Sequence, residues 1–360
     1  MSGSDISIGM LLSGGVDSAA ALKQLKLDGY ENVTAYYLKI WLEDELSYLG
    51  DCPWEEDLKF VKETCELCNV PLEIINLQSE YLERVVDEAL KELKQGLTPS
   101  PDIYCNEKIK FGSFYDKVSK NHDFIASGHY AQLKRETGKE VTLHLAPDKV
   151  KDQTYFLSNL SQSQLQKILF PIGHFQKSEV RSFSETHGLP PKNRKDSQGI
   201  CFLGKIPYRE FVKYHLGEKE GDIIEQSTGK TLGKHQGSWF HTIGQRKGLG
   251  LGQGPWFVID KDLNENIVYV AHADSVNNFA KDSFYINQVN WINGEPDLNN
   301  EFQFKLRHGP DMNTGTITKT KASYYITLNN KDTGLAPGQH AVIYNDTQCL
   351  GGGVIHWKDT

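Results

Sequence analysis

The chain has 360 residues, 38% of them hydrophobic and 24% charged, with a formal net charge of −8, and this composition excludes a disordered chain. At roughly 100–200 residues per domain, such a length predicts two or three domains. No apolar run approaches the roughly 18 residues of a membrane span, no targeting peptide is recognisable, and the acidic balance argues against a nonspecific nucleic-acid coat.

The six cysteines are too few for a disulfide scaffold. We therefore expect a reducing compartment and a cytoplasmic protein, with each cysteine either buried or chemically used.

The first half of the chain alternates short apolar runs with helical patterns. Strands are predicted over residues 6–13, 32–41, 71–77 and 123–133. A strong helical pattern ends at Gly96, and a further helix is predicted over residues 106–121. Strands that alternate with helices predict an α/β fold with a parallel, doubly wound sheet.

The second half is rich in turns and short β-like runs. Residues 255–272 predict a hairpin, and the runs after about residue 280 predict a small antiparallel β-barrel. We therefore expect three domains: an α/β catalytic domain over 1–205, a small central domain over 206–278 and a C-terminal β-barrel over 279–360.

The first predicted strand runs into the sequence SGGVDS, residues 13–18. A strand, a glycine turn and a helix form the usual context of a phosphate site at a helix N-terminus. An aspartate is unusual in a site that binds an anion, so Asp17 is best explained as a ligand of Mg²⁺ or water. The kinase-type GK[ST] loop and the spaced-glycine dinucleotide fingerprint are both absent. A capped helix behind a tight glycine turn is the alternative.

Two cysteines stand in informative surroundings. Cys105 follows a proline-rich stretch at the predicted start of a helix, where the helix dipole would favour its thiolate. Asp102, three residues earlier, has the chemistry of an acid or base. Cys201 lies between two apolar residues, a pattern more typical of a core cysteine when taken alone. A buried structural role is also the alternative for Cys105.

Two further motifs have competing interpretations. Cys65 and Cys68 form a CxxC motif inside a helical pattern, with no second pair to complete a zinc site, so helix packing is favoured over metal binding. The sequence GQRKGLGLG, residues 244–252, is rich in glycine and basic, which fits either a local basic face or a flexible surface loop.

Seven motifs run in order along the chain: SGGVDS, TPSPDIYCNEKIKFG, ASGHYA, KDQTYFL, DSQGICF, TIGQRKGLG and CLGGG. SGGVDS resembles the pyrophosphate loop of the ATP pyrophosphatase superfamily. The ordered set resembles the tRNA-specific 2-thiouridylase family over nearly the whole chain. This resemblance implies an adenine nucleotide alpha hydrolase-like first domain. It also implies an enzyme that uses ATP, Mg²⁺ and a persulfide sulfur to thiolate C2 of the wobble uridine of tRNA.

The resemblance also implies site residues. ATP would be bound by Leu11, Leu12, Ser13, Gly14, Gly15, Val16, Asp17, Ser18, Leu38 and Gly128, with Asp17 as the Mg²⁺ ligand. The catalytic residues would be Cys201, which carries the persulfide, Cys105, which forms a disulfide with Cys201, and Asp102 as acid or base. The tRNA would be contacted by Ser100, Pro101, Asp102, His129, Lys151, Asp152, Gln153, Arg307, His308 and Asn345. The implied partners are the anticodon stem-loop of tRNA and a persulfide donor, either a cysteine desulfurase or a sulfur-relay protein.

Two other functions stay open. A different adenylating ligase or amidotransferase of the same superfamily would not depend on Cys105 or Cys201. A noncatalytic tRNA-binding or sulfur-relay protein would have a degenerate ATP site, and the complete SGGVDS loop argues against it.

Overall fold

The computed structural model describes residues 5–40, 54–196 and 207–359. A five-stranded sheet lies at the centre of the N-terminal part, in the order β3-β2-β1-β4-β7. Its strands are β1 (Ile8–Leu11), β2 (Val33–Lys39), β3 (Leu72–Asn76), β4 (Phe124–Ala126) and β7 (Ile168–Leu169). Every pairing is parallel, which confirms the predicted α/β fold. All four residues of β1 are buried, as expected for a central strand covered on both faces.

Helices flank this sheet, and further helices follow later in the chain. In the described residues they are α1 (Val16–Leu27), α2 (Trp54–Cys68), α3 (Gln78–Tyr81, Leu82–Val86 and Asp87–Lys94 in succession), α4 (Pro101–Tyr104, Cys105–Ser113 and Phe114–Val118 in succession), α5 (Gln162–Leu165), α6 (Lys177–Thr186) and α7 (Tyr208–Leu216). The middle segments of α3 and α4 are π-helical. None of these helices is both long and apolar enough to cross a membrane.

The start of α4 corrects the sequence prediction. The helix begins at Pro101, with Ser100 as the N-cap residue, rather than at residue 106. Proline is favoured at the first helical position, where its missing N–H costs nothing. Cys105 is consequently the fifth helical residue, past the first turn where the dipole acts most strongly. The dipole argument for its thiolate is therefore wrong.

The central part of the chain carries a four-stranded sheet in the order β10-β11-β8-β9. Its strands are β8 (Gly221–Glu225), β9 (Thr231–His235), β10 (Trp256–Asp262) and β11 (Ile267–His272). The antiparallel pairing of β10 with β11 confirms the hairpin predicted over residues 255–272.

The C-terminal strands close into an antiparallel barrel, as predicted. They are β12 (Lys281–Trp291), β13 (Phe302–Lys305), β14 (Asn313–Lys319), β15 (Tyr324–Asp332), β16 (His340–Asn345) and β17 (Gln348–His356). They follow the order β12-β15-β14-β13-β16-β17, and the pairing of β12 with β17 closes the ring.

A hairpin from the N-terminal half extends the barrel sheet. It is formed by β5 (Gln132–Lys134) and β6 (Thr142–His144), and β6 pairs with β17. The single strand predicted over residues 123–133 is thus two strands, β4 and β5, which belong to different sheets. The domain boundaries at residues 205 and 278 stay predictions.

Candidate active site

The loop between β1 and α1 leaves the start of α1 without a side-chain cap. Gly15 is the extended N-cap residue of α1 and has no side chain with which to cap it. The Ser13 N–H donates to Ser18 Oγ at 3.2 Å, and Ser18 Oγ donates to the Gly15 carbonyl at 3.0 Å. These bonds shape the loop from within. The N–H groups of the first helical turn lack intrahelical acceptors, which suits them to an anion.

Two glycines allow close backbone approaches around this loop. Gly14 has φ of +75°, and a Cβ there would lie 2.6 Å from the Asp57 carbonyl oxygen. Gly128 follows β4, and a Cβ there would lie 2.8 Å from both the Asp17 carbonyl carbon and the Ser18 nitrogen. The fold therefore brings Gly128 against the first turn of α1. Binding of ATP by these residues stays a prediction.

Asp17 is held by two side chains that the sequence analysis did not single out. Lys177 Nζ, at the start of α6, donates to both carboxylate oxygens of Asp17, at 2.7 and 2.9 Å. The Tyr130 hydroxyl donates to Oδ1 at 2.7 Å. Burial and the nearby charge of Asp17 raise the pKa of Tyr130, so its hydroxyl stays protonated. Coordination of Mg²⁺ by Asp17 stays a prediction.

Asp196 extends this network to the KDQTYFL segment. Its carboxylate lies 2.6 Å from Lys151 Nζ, 2.8 Å from Lys177 Nζ and 2.5 Å from an Arg181 guanidinium nitrogen. Partial burial acts to raise the pKa of Asp196, but hydrogen bonds from Lys151 and Lys177 outweigh it and lower the pKa to about 2. Lys151, a predicted tRNA contact, is therefore linked to Asp17 through Asp196 and Lys177.

One signal for this network was present in the sequence. Lys177 and Arg181 stand four residues apart, so they share one face of α6.

Arg194 lies in a second basic segment. It donates to the Gly14 carbonyl at 3.0 Å and forms an ion pair with Asp57.

Cys105 and Asp102 lie on successive turns of α4. Cys105 is 1% exposed and opens the π-helical segment. Asp102 is half-buried, and its carbonyl accepts a hydrogen bond from Asn106 Nδ2 at 3.0 Å. Gly112 belongs to the same segment, and a Cβ there would lie 2.8 Å from the Glu107 carbonyl oxygen. π-Helical turns of this kind are frequent at functional sites.

Several predicted substrate residues converge on the KDQTYFL segment. The Tyr155 hydroxyl is hydrogen-bonded to Ser100 and donates to the His340 carbonyl at 3.1 Å. The Phe156 ring lies 4.6 Å from the His308 ring, centroid to centroid. Burial lowers the pKa of His308, and the negative charge of Asp102 opposes that shift. Three distant stretches of sequence thus meet at one place, although their contacts with tRNA stay predictions.

Two other predicted tRNA residues are interior side chains. His129 is 8% exposed, with its Nδ1 2.8 Å from Ser127 Oγ, and burial lowers its pKa well below the usual range. Asp152 forms an ion pair with Lys305 at 2.6 Å, and both side chains are 1% exposed. The structure gives these two residues packing and pairing roles. Asn345, by contrast, is exposed at the end of β16.

Arg307 and Gln153 have partners within the chain. The Arg307 guanidinium makes two bonds to Asp332, at 3.1 and 2.6 Å, and its side chain is half exposed. The Gln153 side-chain carbonyl accepts the Tyr130 N–H at 2.9 Å. Arg307 is thus accessible to a ligand, while Gln153 fixes the backbone beside Tyr130.

Cys201 lies outside the described residues, as does most of the DSQGICF motif. Its persulfide role and its disulfide with Cys105 therefore stay predictions.

The CxxC pair of α2 has the character of core residues. Burial raises the pKa of Cys65 to about 12 and also raises the pKa of Cys68. Within residues 5–40, 54–196 and 207–359, no group of three or more His, Cys, Asp or Glu side chains could hold a metal ion. The burial of both thiols favours helix packing for the pair.

Three family models match successive parts of the chain. They are described as the tRNA methyl transferase HUP domain, over residues 6–205, the tRNA methyl transferase PRC-barrel domain, over residues 209–272, and the Aminomethyltransferase beta-barrel domain, over residues 281–355.

Curated relatives match almost end to end. The chain is 47% identical to the tRNA-specific 2-thiouridylase MnmA of Parabacteroides distasonis, over 97% of this chain and 99% of that protein. It is 46% identical to the tRNA-specific 2-thiouridylase MnmA 1 of Bacteroides thetaiotaomicron, over the same shares of the two chains. A relative of the same name from Porphyromonas gingivalis is 42% identical, again over 97% and 99%.

Proposed function

Because the chain belongs to the tRNA-specific 2-thiouridylase family, a family of tRNA sulfurtransferases, we propose that it replaces the C2 oxygen of the wobble uridine, U34, of tRNA by sulfur. The observation that carries this proposal is the 42–47% identity to proteins of that name over nearly the whole chain. We also propose a cytoplasmic location, as expected from the cysteine content.

ATP is the proposed energy source. Its phosphates would lie against the N-terminus of α1, where the N-cap residue Gly15 has no side chain to cap the backbone N–H groups. Asp17 would ligate Mg²⁺, which proteins usually hold through one or two carboxylates together with substrate phosphates. Since Lys177 now occupies both oxygens of Asp17, it would have to release or share them.

Sulfur transfer is proposed to follow activation of the base. ATP would transfer AMP to the uridine O2, with release of pyrophosphate. The terminal sulfur of a persulfide on Cys201 would reach C2, directly or as hydrosulfide, and AMP would leave. The Cys105 thiolate would attack the Cys201 sulfur and break the persulfide S–S bond, so that a Cys105–Cys201 disulfide forms. A reductant would then reduce this disulfide, and the donor protein would supply a new persulfide to Cys201.

The tRNA would present U34 out of its anticodon stack, since enzymes that react with a base must unstack it. Ser100, Asp102 and His308 meet at one place and would receive the base there. Asp102 would then be near enough to hold or supply a proton. Because Cys105 is 1% exposed, its thiol would become accessible only when the residues around it move.

The direct test is mass analysis of tRNA nucleosides after incubation with the protein, ATP, Mg²⁺ and a persulfide donor. We expect 2-thiouridine from the unaltered protein, and none from Cys105→Ser or Cys201→Ser, although both variants still bind ATP. Cys65→Ser is the matched control, because it alters a buried cysteine outside the site.

Two results would contradict the proposal. A methylated uridine would instead favour the transferase named in the family-model descriptions. Undiminished thiolation by both cysteine variants would rule out the proposed sulfur route.

A further inference from the structure

A turn of the C-terminal barrel packs against the segment that leads into α4. This barrel turn, residues 335–339, connects β15 to β16. The Thr98 N–H donates to the Pro337 carbonyl at 2.8 Å. Gly338 has φ of +90°, and a Cβ there would lie 2.8 Å from Leu97 Cβ, 2.8 Å from the Thr98 nitrogen and 3.1 Å from the Thr98 oxygen. There is no room for a side chain between the barrel turn and residues 97 and 98.

A second contact lies a few residues further along both segments. His340 opens β16, and its carbonyl accepts the Tyr155 hydroxyl, which is also bonded to Ser100. The His340 ring lies 6.2 Å from the ring of Tyr104, the residue before Cys105. The barrel therefore contacts this region both before the start of α4 and within its first segment.

The barrel turn is itself firmly anchored. The Gly338 N–H donates to the Ile355 carbonyl at 3.0 Å, and the Ile355 N–H donates to the Gln339 carbonyl at 2.8 Å. Leu335 and Ala336 are 2% and 0% exposed. Because the turn is bonded to β17 and packed into the core, a group inserted at Gly338 would displace residues 97–102 rather than the turn.

We propose that the barrel turn positions residues 97–102, and with them Asp102 and Cys105, for sulfur transfer. Gly338 acts in this as a positioning residue, since it touches the backbone of the segment and not the substrate. This inference rests on the proposed function, because Asp102 and Cys105 are the catalytic groups proposed there. It gives the C-terminal barrel a role in the chemistry in addition to any contact with tRNA.

The test compares two glycine substitutions in the same barrel. Gly338→Ala adds a Cβ against residues 97 and 98. Gly294→Ala imposes a similar backbone strain, at φ of +81°, with nothing within 4 Å of its added Cβ. We expect Gly338→Ala to lower kcat for thiolation by tenfold or more, while KM for ATP is unchanged. Gly294→Ala should have the same kcat as the unaltered protein.

A second readout does not depend on thiolation. Alkylation of Cys105 by iodoacetamide, followed by peptide mass analysis without tRNA, should be several-fold faster in Gly338→Ala and unchanged in Gly294→Ala. If Gly338→Ala does not fold, Tyr155→Phe removes the hydroxyl between His340 and Ser100 with little change of shape and should likewise speed alkylation.

Equal alkylation rates and equal kcat in the substituted and unaltered proteins would overturn the inference. If the unaltered protein makes no 2-thiouridine, the proposed function fails, whereas the alkylation rates still decide whether the barrel turn holds Cys105 in place.

Discussion

Around the loop between β1 and α1, glycines determine how closely the backbone segments approach each other. Gly128 brings the end of β4 to the first turn of α1, where any Cβ would meet backbone atoms. Backbone atoms cannot turn aside as a flexible side chain can. The positions of the α1 N–H groups therefore depend on a glycine more than one hundred residues away in the sequence.

Gly128→Ala should weaken ATP binding for this reason. The added Cβ would lie 2.8 Å from the Ser18 nitrogen, so the first turn of α1 would have to shift. We expect a loss of affinity of about tenfold or more, which corresponds to roughly 1.4 kcal/mol. Isothermal titration of ATP with Mg²⁺, without tRNA, measures it.

Gly252→Ala is the control for that substitution, because nothing lies within 4 Å of a Cβ at Gly252. If the two variants bind ATP equally well, the nucleotide does not depend on this contact.

At the scale of single elements, the sequence predicted most of the structure that depends on local pattern. The apolar runs of β1 and β2 and the helical patterns between strands predicted the parallel sheet. The spacing of apolar residues reflects which face of an element is buried. The β-like pattern of residues 255–272 likewise predicted the β10–β11 hairpin. The start of α4 was misplaced because the proline-rich stretch was placed before the helix, whereas Pro101 occupies the first helical position.

Contacts between distant elements could not be predicted in this way. Asp17 and Lys177 are 160 positions apart, and no local pattern specifies their pairing. β6 pairs with residues 348 and 349 of β17, which precede the residues of β17 that pair with β12. The sequence of neither strand alone specifies this pairing. The candidate site was therefore recognisable from the loop and Cys105, but not from the charged side chains around them.

His340, at the start of β16, should make stability depend on pH. It is 1% exposed, and burial together with the charge of Lys108 lowers its pKa to about 4. In the unfolded chain its pKa would be about 6.5. Between these values the unfolded chain binds a proton that the folded protein does not. The free energy of unfolding should therefore fall as the pH drops from 6.5 towards 4, with a contribution of up to about 1.4 kcal/mol per pH unit.

Urea denaturation at several pH values within that window tests the effect. His340→Gln should reduce the slope of the unfolding free energy against pH by about 1.4 kcal/mol per pH unit, the effect of one proton. A substitution of the exposed His174 is the control for the loss of a histidine elsewhere. An unaltered slope in His340→Gln would show that the ring is not held neutral in the folded protein.

At the scale of the whole molecule, the α/β part and the barrel share one core. Tyr344 and Cys349 of the barrel belong to the same buried cluster as Tyr155 and Leu143 from the first half. The β5–β6 hairpin pairs with β17 across the same junction. The barrel turn beside residues 97 and 98 is thus one part of a continuous interface, and the α/β part and the barrel do not pack as separate bodies.

The buried ion pair between Asp152 and Lys305 is the polar centre of that interface. Asp152 accepts the Ala146 N–H at 3.0 Å, the Thr154 hydroxyl at 2.8 Å and Lys305 Nζ at 2.6 Å. The ammonium group of Lys305 lies 5.6 Å from the centre of the Tyr344 ring. Because the carboxylate is 1% exposed, water cannot replace the lysine if it is removed.

Lys305→Met should therefore lower the free energy of unfolding by about 3–5 kcal/mol, the usual consequence of leaving a buried charge without its partner. The double variant Lys305→Met/Asp152→Asn should recover part of this loss, because the amide keeps an acceptor for Ala146 without the charge. Lys319→Met, which breaks an exposed pair with Glu295, should change stability little. Chemical denaturation of the four proteins measures these differences. Full stability in Lys305→Met would contradict the interior, charge-paired role of Asp152.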